Sequence, residues 1–112
     1  KRLTRDGYIL GYQAMLSPEK LDLGMLVYVE VKLDRTTPDV FDEFARAIRN
    51  AEEVMECHMV AGGFDYLIKA RVQGMETYRS FLSDVILSLP GIRETHTYAV
   101  MEEIKNTDKL PV

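Results

Sequence analysis

The sequence has no tryptophan and one cysteine, Cys57, in 112 residues. A single thiol cannot close an internal disulfide, so a disulfide-stapled fold is excluded and a reduced, cytoplasmic setting fits. No apolar run is long enough to cross a bilayer, and the start carries no signal-peptide pattern, so no membrane partner is expected. Positive charge is also short: 14 Lys and Arg face 18 Asp and Glu, a formal net charge of -4. A domain that grips DNA alone is usually basic, because phosphate neutralisation supplies most of the affinity. The basic residues at the N-terminus, Lys1, Arg2 and Arg5, form the main cluster. G-x-S-x-G, P-loop and G-x-G-x-x-G patterns are missing. What is present suits one ordinary globular domain, with 46% hydrophobic and 29% charged residues.

Hydrophobic periodicity orders the chain. Residues 1–7 read as the end of an amphipathic helix and open without Met, so the chain is expected to be a piece of something longer; Asp6-Gly7 stops that helix. Residues 8–14 read as a short strand, followed by a linker to residue 23. Residues 25–33 alternate, with Val27, Val29, Val31 and Leu33 on one face and Tyr28, Glu30 and Lys32 on the other. A helix is expected to open at Thr37-Pro38, as an N-cap with proline at the first helical position, and to bury Phe41, Phe44, Ile48 and Ala51. A strand over 54–61 places Met55, Cys57, Met59 and Ala61 on one face. Gly62-Gly63 turns into a strand over 65–72, with Tyr66, Ile68, Ala70 and Val72 inward. A helix over 75–89 turns Tyr78, Phe81, Leu82, Val85 and Leu89 inward and ends at Pro90-Gly91. A last strand runs over 92–103, and the tail from Lys105 is polar.

The order β-α-β-β-α-β is the α+β, ferredoxin-like arrangement: an antiparallel sheet with two helices on one face, here preceded by a hinge strand. A weak internal repeat agrees with it. Val54-Met55-Glu56-Cys57-His58 follows one helix and Ile92-Arg93-Glu94-Thr95-His96 follows the other. Two helices cover one sheet face, so the other would display Tyr28, Glu30, His58, Lys69, Arg71, His96 and Tyr98. A second copy of the sheet is the simplest partner for such a face.

Chemistry-bearing candidates are few. His58 and His96 fall on the two edge strands, too far apart for a shared metal, and Cys57 points away from His58; no metal, cofactor or catalytic group is expected. The stretch Ala61-Gly62-Gly63-Phe64-Asp65-Tyr66 has two readings. It is a glycine turn, or its exposed N–H groups hold a carboxylate while a solvent-facing Asp65 holds an ammonium, as a free amino acid requires. Thr95 and Thr97 either follow β propensity or supply hydroxyls to a polar ligand. Met55, Met59, Met75 and Met101 are core filler or the walls of an adaptable apolar pocket.

Val27-Tyr28-Val29-Glu30-Val31, Glu56 to Leu67 with its Ala61-Gly62-x-Phe64-Asp65-Tyr66 core, Leu89-Pro90-Gly91-Ile92-x-x-Thr95-x-Thr97, Thr37 to Phe41 and Val100 to Lys105 together resemble the Lrp/AsnC transcriptional regulators, most of all their leucine-responsive branch. The resemblance covers essentially the whole chain. It implies that residues 1–7 trail a missing DNA-binding helix-turn-helix, that 8–23 are hinge strand and linker, that 24–104 are an effector-binding and oligomerisation domain, and that 105–112 are a tail. It further implies dimers built through the sheets, assembly to octamers, and an amino-acid effector held between dimers. By position it implies a ligand site of Gly62, Gly63, Phe64 and Asp65 with Thr95, Thr97, Tyr98, Ala99 and Val100, and Met59 and Met75 as walls. Gly63 departs from the acidic or polar residue that close relatives often carry there. DNA contact would run through the missing helix-turn-helix alone, leaving this chain with weak, nonspecific DNA binding. Two other readings stay open: an enzyme of the dimeric α+β barrel type on the same fold, and an amino-acid sensor attached to an enzyme.

Overall fold

The computed structural model describes residues 17, 18 and 23–112; the helix tail expected over 1–7, the hinge strand over 8–14 and most of the linker lie outside the described residues. Strand β1 is Met25–Leu33, helix α1 Val40–Arg49, β2 Val54–Met59, β3 Tyr66–Val72, α2 Met75–Phe81 and β4 Ile92–Ala99. The strands form one antiparallel sheet in the order β2-β3-β1-β4. The ferredoxin-like order read from the sequence is therefore the observed one. β1 and β3 are central, and the histidine-bearing strands β2 and β4 are the edges.

The alternation in β1 and β3 determines the core. Val27, Val29 and Val31 pair across with Ala70, Ile68 and Tyr66, and these six are buried together with Leu33 and Val72 on the same face. Both helices lie on that face. Phe44 stacks on Tyr66 with ring centroids 4.4 Å apart, and Ile48 and Val40 complete the α1 contribution. Aromatic pairs of this geometry add about 0.5–1.5 kcal/mol beyond area burial.

Helix α1 does not start at Thr37-Pro38. Thr37 donates its N–H to the Asp34 carbonyl in a turn, Asp34 caps Thr36, and the residue before the helix is Asp39 at φ 57°, with no side-chain cap. The turn built around Asp34 overrides the Thr-Pro signal and puts Val40 into the core.

The second helix departs from the straight 75–89 expectation. α2 gives way at Leu82–Ile86 to a π-helical turn. The wider turn carries the buried face from Phe81 five residues on to Ile86, which is fully buried, while Leu82, Val85 and Leu89 are half-buried. A regular 3.6-residue period would put Ile86 at the margin of the stripe formed by Tyr78, Leu82 and Val85; the wider turn accompanies its full burial. We expect Ile86→Ala to cost about 2–5 kcal/mol, against less than 1 for Leu87→Ala on the exposed side, measured by urea denaturation.

The internal repeat has a structural counterpart. In β2 pairing moves from Val54↔Ala70 to Glu56↔Lys69, leaving Met55 as the extra residue of a bulge. In β4 it moves from Ile92↔Leu33 to Glu94↔Lys32, leaving Arg93 extra. The bulges sit at matching positions after each helix. Each is followed by a cross-strand ion pair on the face away from the helices, Glu56 with Lys69 at 3.7 Å and Glu94 with Lys32 at 4.0 Å. The β2 bulge also corrects the face expected there: Val54 packs inward with Cys57 and Met55 is exposed. The strand ends at Met59, so Ala61 belongs to the loop.

β4 ends at Ala99 rather than residue 103, although Val100 still donates to the Leu26 carbonyl at 2.9 Å. The chain then folds across the sheet face that the helices leave uncovered. Arg71 Nη2 donates to Glu103 Oε2 at 3.0 Å, and Asn106 donates to the other oxygen of Glu103. Leu26 and Arg71 are consequently buried. Arg71 is thus not displayed on that face as expected; the C-terminal segment covers it, and the Arg71 guanidinium holds the Glu103 carboxyl below its usual range. Tyr28, Glu30, Lys32, His58, His96 and Tyr98 keep exposure there.

Candidate functional site

The β2–β3 loop is built on Asp65. Val60 donates to the Asp65 carbonyl at 3.0 Å, closing the loop, and Asp65 donates to the Val31 carbonyl at 2.9 Å, tying it to β1. One strand position further on, the ladder would need another acceptor for the Leu33 N–H. The Asp65 carboxylate supplies it, Oδ2 accepting at 2.8 Å. Arg35 Nη2 donates to Oδ1 at 2.5 Å, and the Arg35 guanidinium also lies 5.8 Å from the centre of the Phe41 ring.

Asp65 is 4% exposed. The Leu33 N–H holds its carboxyl below the ordinary range, with Arg35 adding to this against the opposing cost of burial. This corrects the expectation of a solvent-facing Asp65: both oxygens are committed within the chain. The residue anchors the loop instead of presenting a charge. Its neighbours Gly62 and Gly63 are exposed, and Phe64 is half-buried. No atom lies within 4 Å of where a Cβ on Gly63 would stand, so the backbone there faces open space.

Gly63 and Phe64 border a cleft of about 200 Å³ together with Glu30, Lys32, Glu94 and His96. All four side chains stand on the sheet face away from the helices, and His96 Nε2 is 3.3 Å from Glu94 Oε2. The cleft carries both signs of charge beside the exposed Gly63.

The strand-four candidates divide. Thr95, Thr97 and Ala99 stand opposite the core residues Val31, Val29 and Val27, on the helix side. Thr97 Oγ1 is hydrogen-bonded to the hydroxyl of Tyr78 from α2. Tyr98 stands opposite Tyr28 on the other face, and Val100 follows at the strand end. Within one chain the sheet therefore separates Thr95, Thr97 and Ala99 from Gly63 and Phe64. Met59 and Met75 are 65% and 51% exposed and belong to no core. Sequence reading missed Arg35 and the Leu33 N–H, because a surface arginine in a turn carries no periodic signal and a backbone donor carries none at all.

Other chemistry is sparse among the described residues. No group of three or more His, Cys, Asp or Glu side chains gathers as a metal site. Burial pushes the Cys57 thiol up to about 11, which keeps it protonated and poorly nucleophilic at neutral pH.

Residues 26–110 match the Lrp/AsnC ligand binding domain family. The chain is 49% identical over all 112 of its residues to the leucine-responsive regulatory proteins of Escherichia coli K12 and Salmonella typhimurium, covering 68% of each. Among solved structures it is similar to a transcriptional regulator from Neisseria meningitidis in complex with L-methionine, with a TM-score of 0.90 and 34% identity over 98% of this chain and 71% of that one. An AsnC family regulator from Agrobacterium tumefaciens superposes at a TM-score of 0.87 with 27% identity, over the same shares of the two chains.

Proposed function

Because the chain belongs to the Lrp/AsnC family of transcriptional regulators, we propose that it senses an apolar amino acid, leucine or methionine foremost, and transmits its presence through the geometry of an oligomer. It is the ligand-binding part of a regulator and not an enzyme, which removes the α+β barrel alternative. The names of the relatives favour a regulator over a sensor attached to an enzyme.

The observation that carries the reading is the β2–β3 loop. It displays the backbone of Gly62 and Gly63 to solvent on a mount fixed by buried Asp65, a geometry suited to a carboxylate. Phe64 offers an apolar wall beside that backbone. Since Thr95, Thr97 and Ala99 lie on the opposite side of the sheet, the site comes together between copies: the loop of one with strand β4 of another. The sheet face bearing Tyr28, Tyr98 and His96 makes the dimer, and dimers assemble further, to an octamer. DNA is contacted through a helix-turn-helix preceding this segment, in the cytoplasm.

A thermal-shift screen of the twenty amino acids tests the effector. At 100 times Kd a ligand binding only the folded state stabilises by about 2.7 kcal/mol, a rise on the order of 10 °C for a domain of this size. Light scattering at micromolar concentration should give a dimer or larger. A monomer, or twenty flat melting curves, would overturn the reading.

A further inference from the structure

We propose that Arg35 is a positioning residue for the amino-acid loop, acting through Asp65. The inference rests on the reading of that loop as the effector site. Arg35 itself faces solvent: its side chain is 73% exposed, whereas that of Asp65 is 5% exposed. A pair so arranged is a surface lid on a buried anion. Three backbone groups hang on the same carboxylate and its residue: the Leu33 N–H on Oδ2, the Val60 N–H on the Asp65 carbonyl, and the Asp65 N–H on the Val31 carbonyl. Together they fix both ends of the 60–65 loop against the end of β1.

Without Arg35, Oδ1 loses its charge-assisted partner and turns towards water. The carboxylate still accepts the Leu33 N–H, but it is held there less firmly and over a wider range of orientations. The loop loosens locally while the sheet and its core remain, since the Arg35 side chain is mostly in solvent and its polar and ring partners are Asp65 and Phe41. Exposed ion pairs contribute little to global stability. The consequence of this pair is local order in the segment that presents Gly62 and Gly63. Arg35 also reaches the Phe41 ring, so the same side chain connects the loop to helix α1.

The test compares wild type, Arg35→Ala and Arg35→Lys by amide hydrogen exchange, then by calorimetry with L-leucine and L-methionine. In Arg35→Ala the Leu33, Val60 and Asp65 amides should exchange on the order of tenfold faster, while Val29 and Ile68 in the central strands and the melting temperature stay as in wild type. Affinity for the amino acid that wild type binds should fall about tenfold. Lysine keeps the charge but not the fork, and should restore part of both effects. Unchanged exchange at Leu33, Val60 and Asp65 in Arg35→Ala overturns the proposal, as does faster exchange with undiminished affinity. If wild type binds neither amino acid while those three amides still respond, Arg35 does position the loop and the effector assignment is what fails.

Discussion

Gly91→Ala is expected to destabilise the fold by about 2–5 kcal/mol, enough to unfold a marginal domain at physiological temperature. Two costs coincide. Gly91 has φ +87°, a left-handed conformation that penalises any L side chain by about 1–2 kcal/mol. A Cβ there would also come within 2.4 Å of Val40 Cγ2, and Val40 is locked in the core at 3% exposure. The Gly91 carbonyl accepts the Asp34 N–H at 2.7 Å, so a shift of this backbone propagates to the turn that starts α1. Gly63→Ala, into open space, serves as the control and should stay within about 0.5 kcal/mol of wild type. Denaturant midpoints of the two variants check this directly.

Asp65→Ala should cost about 2–4 kcal/mol, chiefly because the Leu33 N–H beneath it loses its acceptor. The Arg35 contact adds less, since that side chain is mostly in water. The same anchor sets a pH dependence. The folded-state pKa of Asp65 is depressed, so its contribution is fully present above the unfolded carboxyl value of about 3.9 and disappears as pH falls through the lower folded value. Below about pH 4 the wild type should therefore lose stability faster than Asp65→Asn. Some acid sensitivity remains in the variant through Asp34 and Glu103, both also depressed. Parallel acid melting profiles for the two proteins would show that Asp65 anchors nothing.

The alternation in β1 and β3 and the helix stripe of Phe44 and Ile48 made the element order legible, because burial on one face leaves a period in the sequence. The bulges were not legible. Met55 and Arg93 look like ordinary strand residues, and only pairing reveals the extra residue, even though the repeat containing them could be seen. The π-turn escaped for a related reason: a single inserted residue shifts the buried face to Ile86 without changing composition. At α1 a local Asp34 turn prevailed over a strong Thr-Pro start signal. The loop itself was found from its glycines, but Asp65 was assigned an exposed role. Nothing in Gly-Gly-Phe-Asp indicates that Leu33, 32 residues earlier, leaves an N–H to be satisfied. The division of strand four between two faces follows from period-2 alternation and could be read. What lay beyond the sequence was which face the loop would border.

Isothermal titration of L-leucine and of L-methionine into the chain is the most direct test of the claim that this domain senses an apolar amino acid at the Gly62–Phe64 loop. The account predicts saturable binding of at least one of them, at no more than one ligand per chain, weakened about tenfold by Arg35→Ala at unchanged melting temperature. Absence of binding by both at millimolar ligand, or binding indifferent to every change in the loop and its anchor, would contradict it.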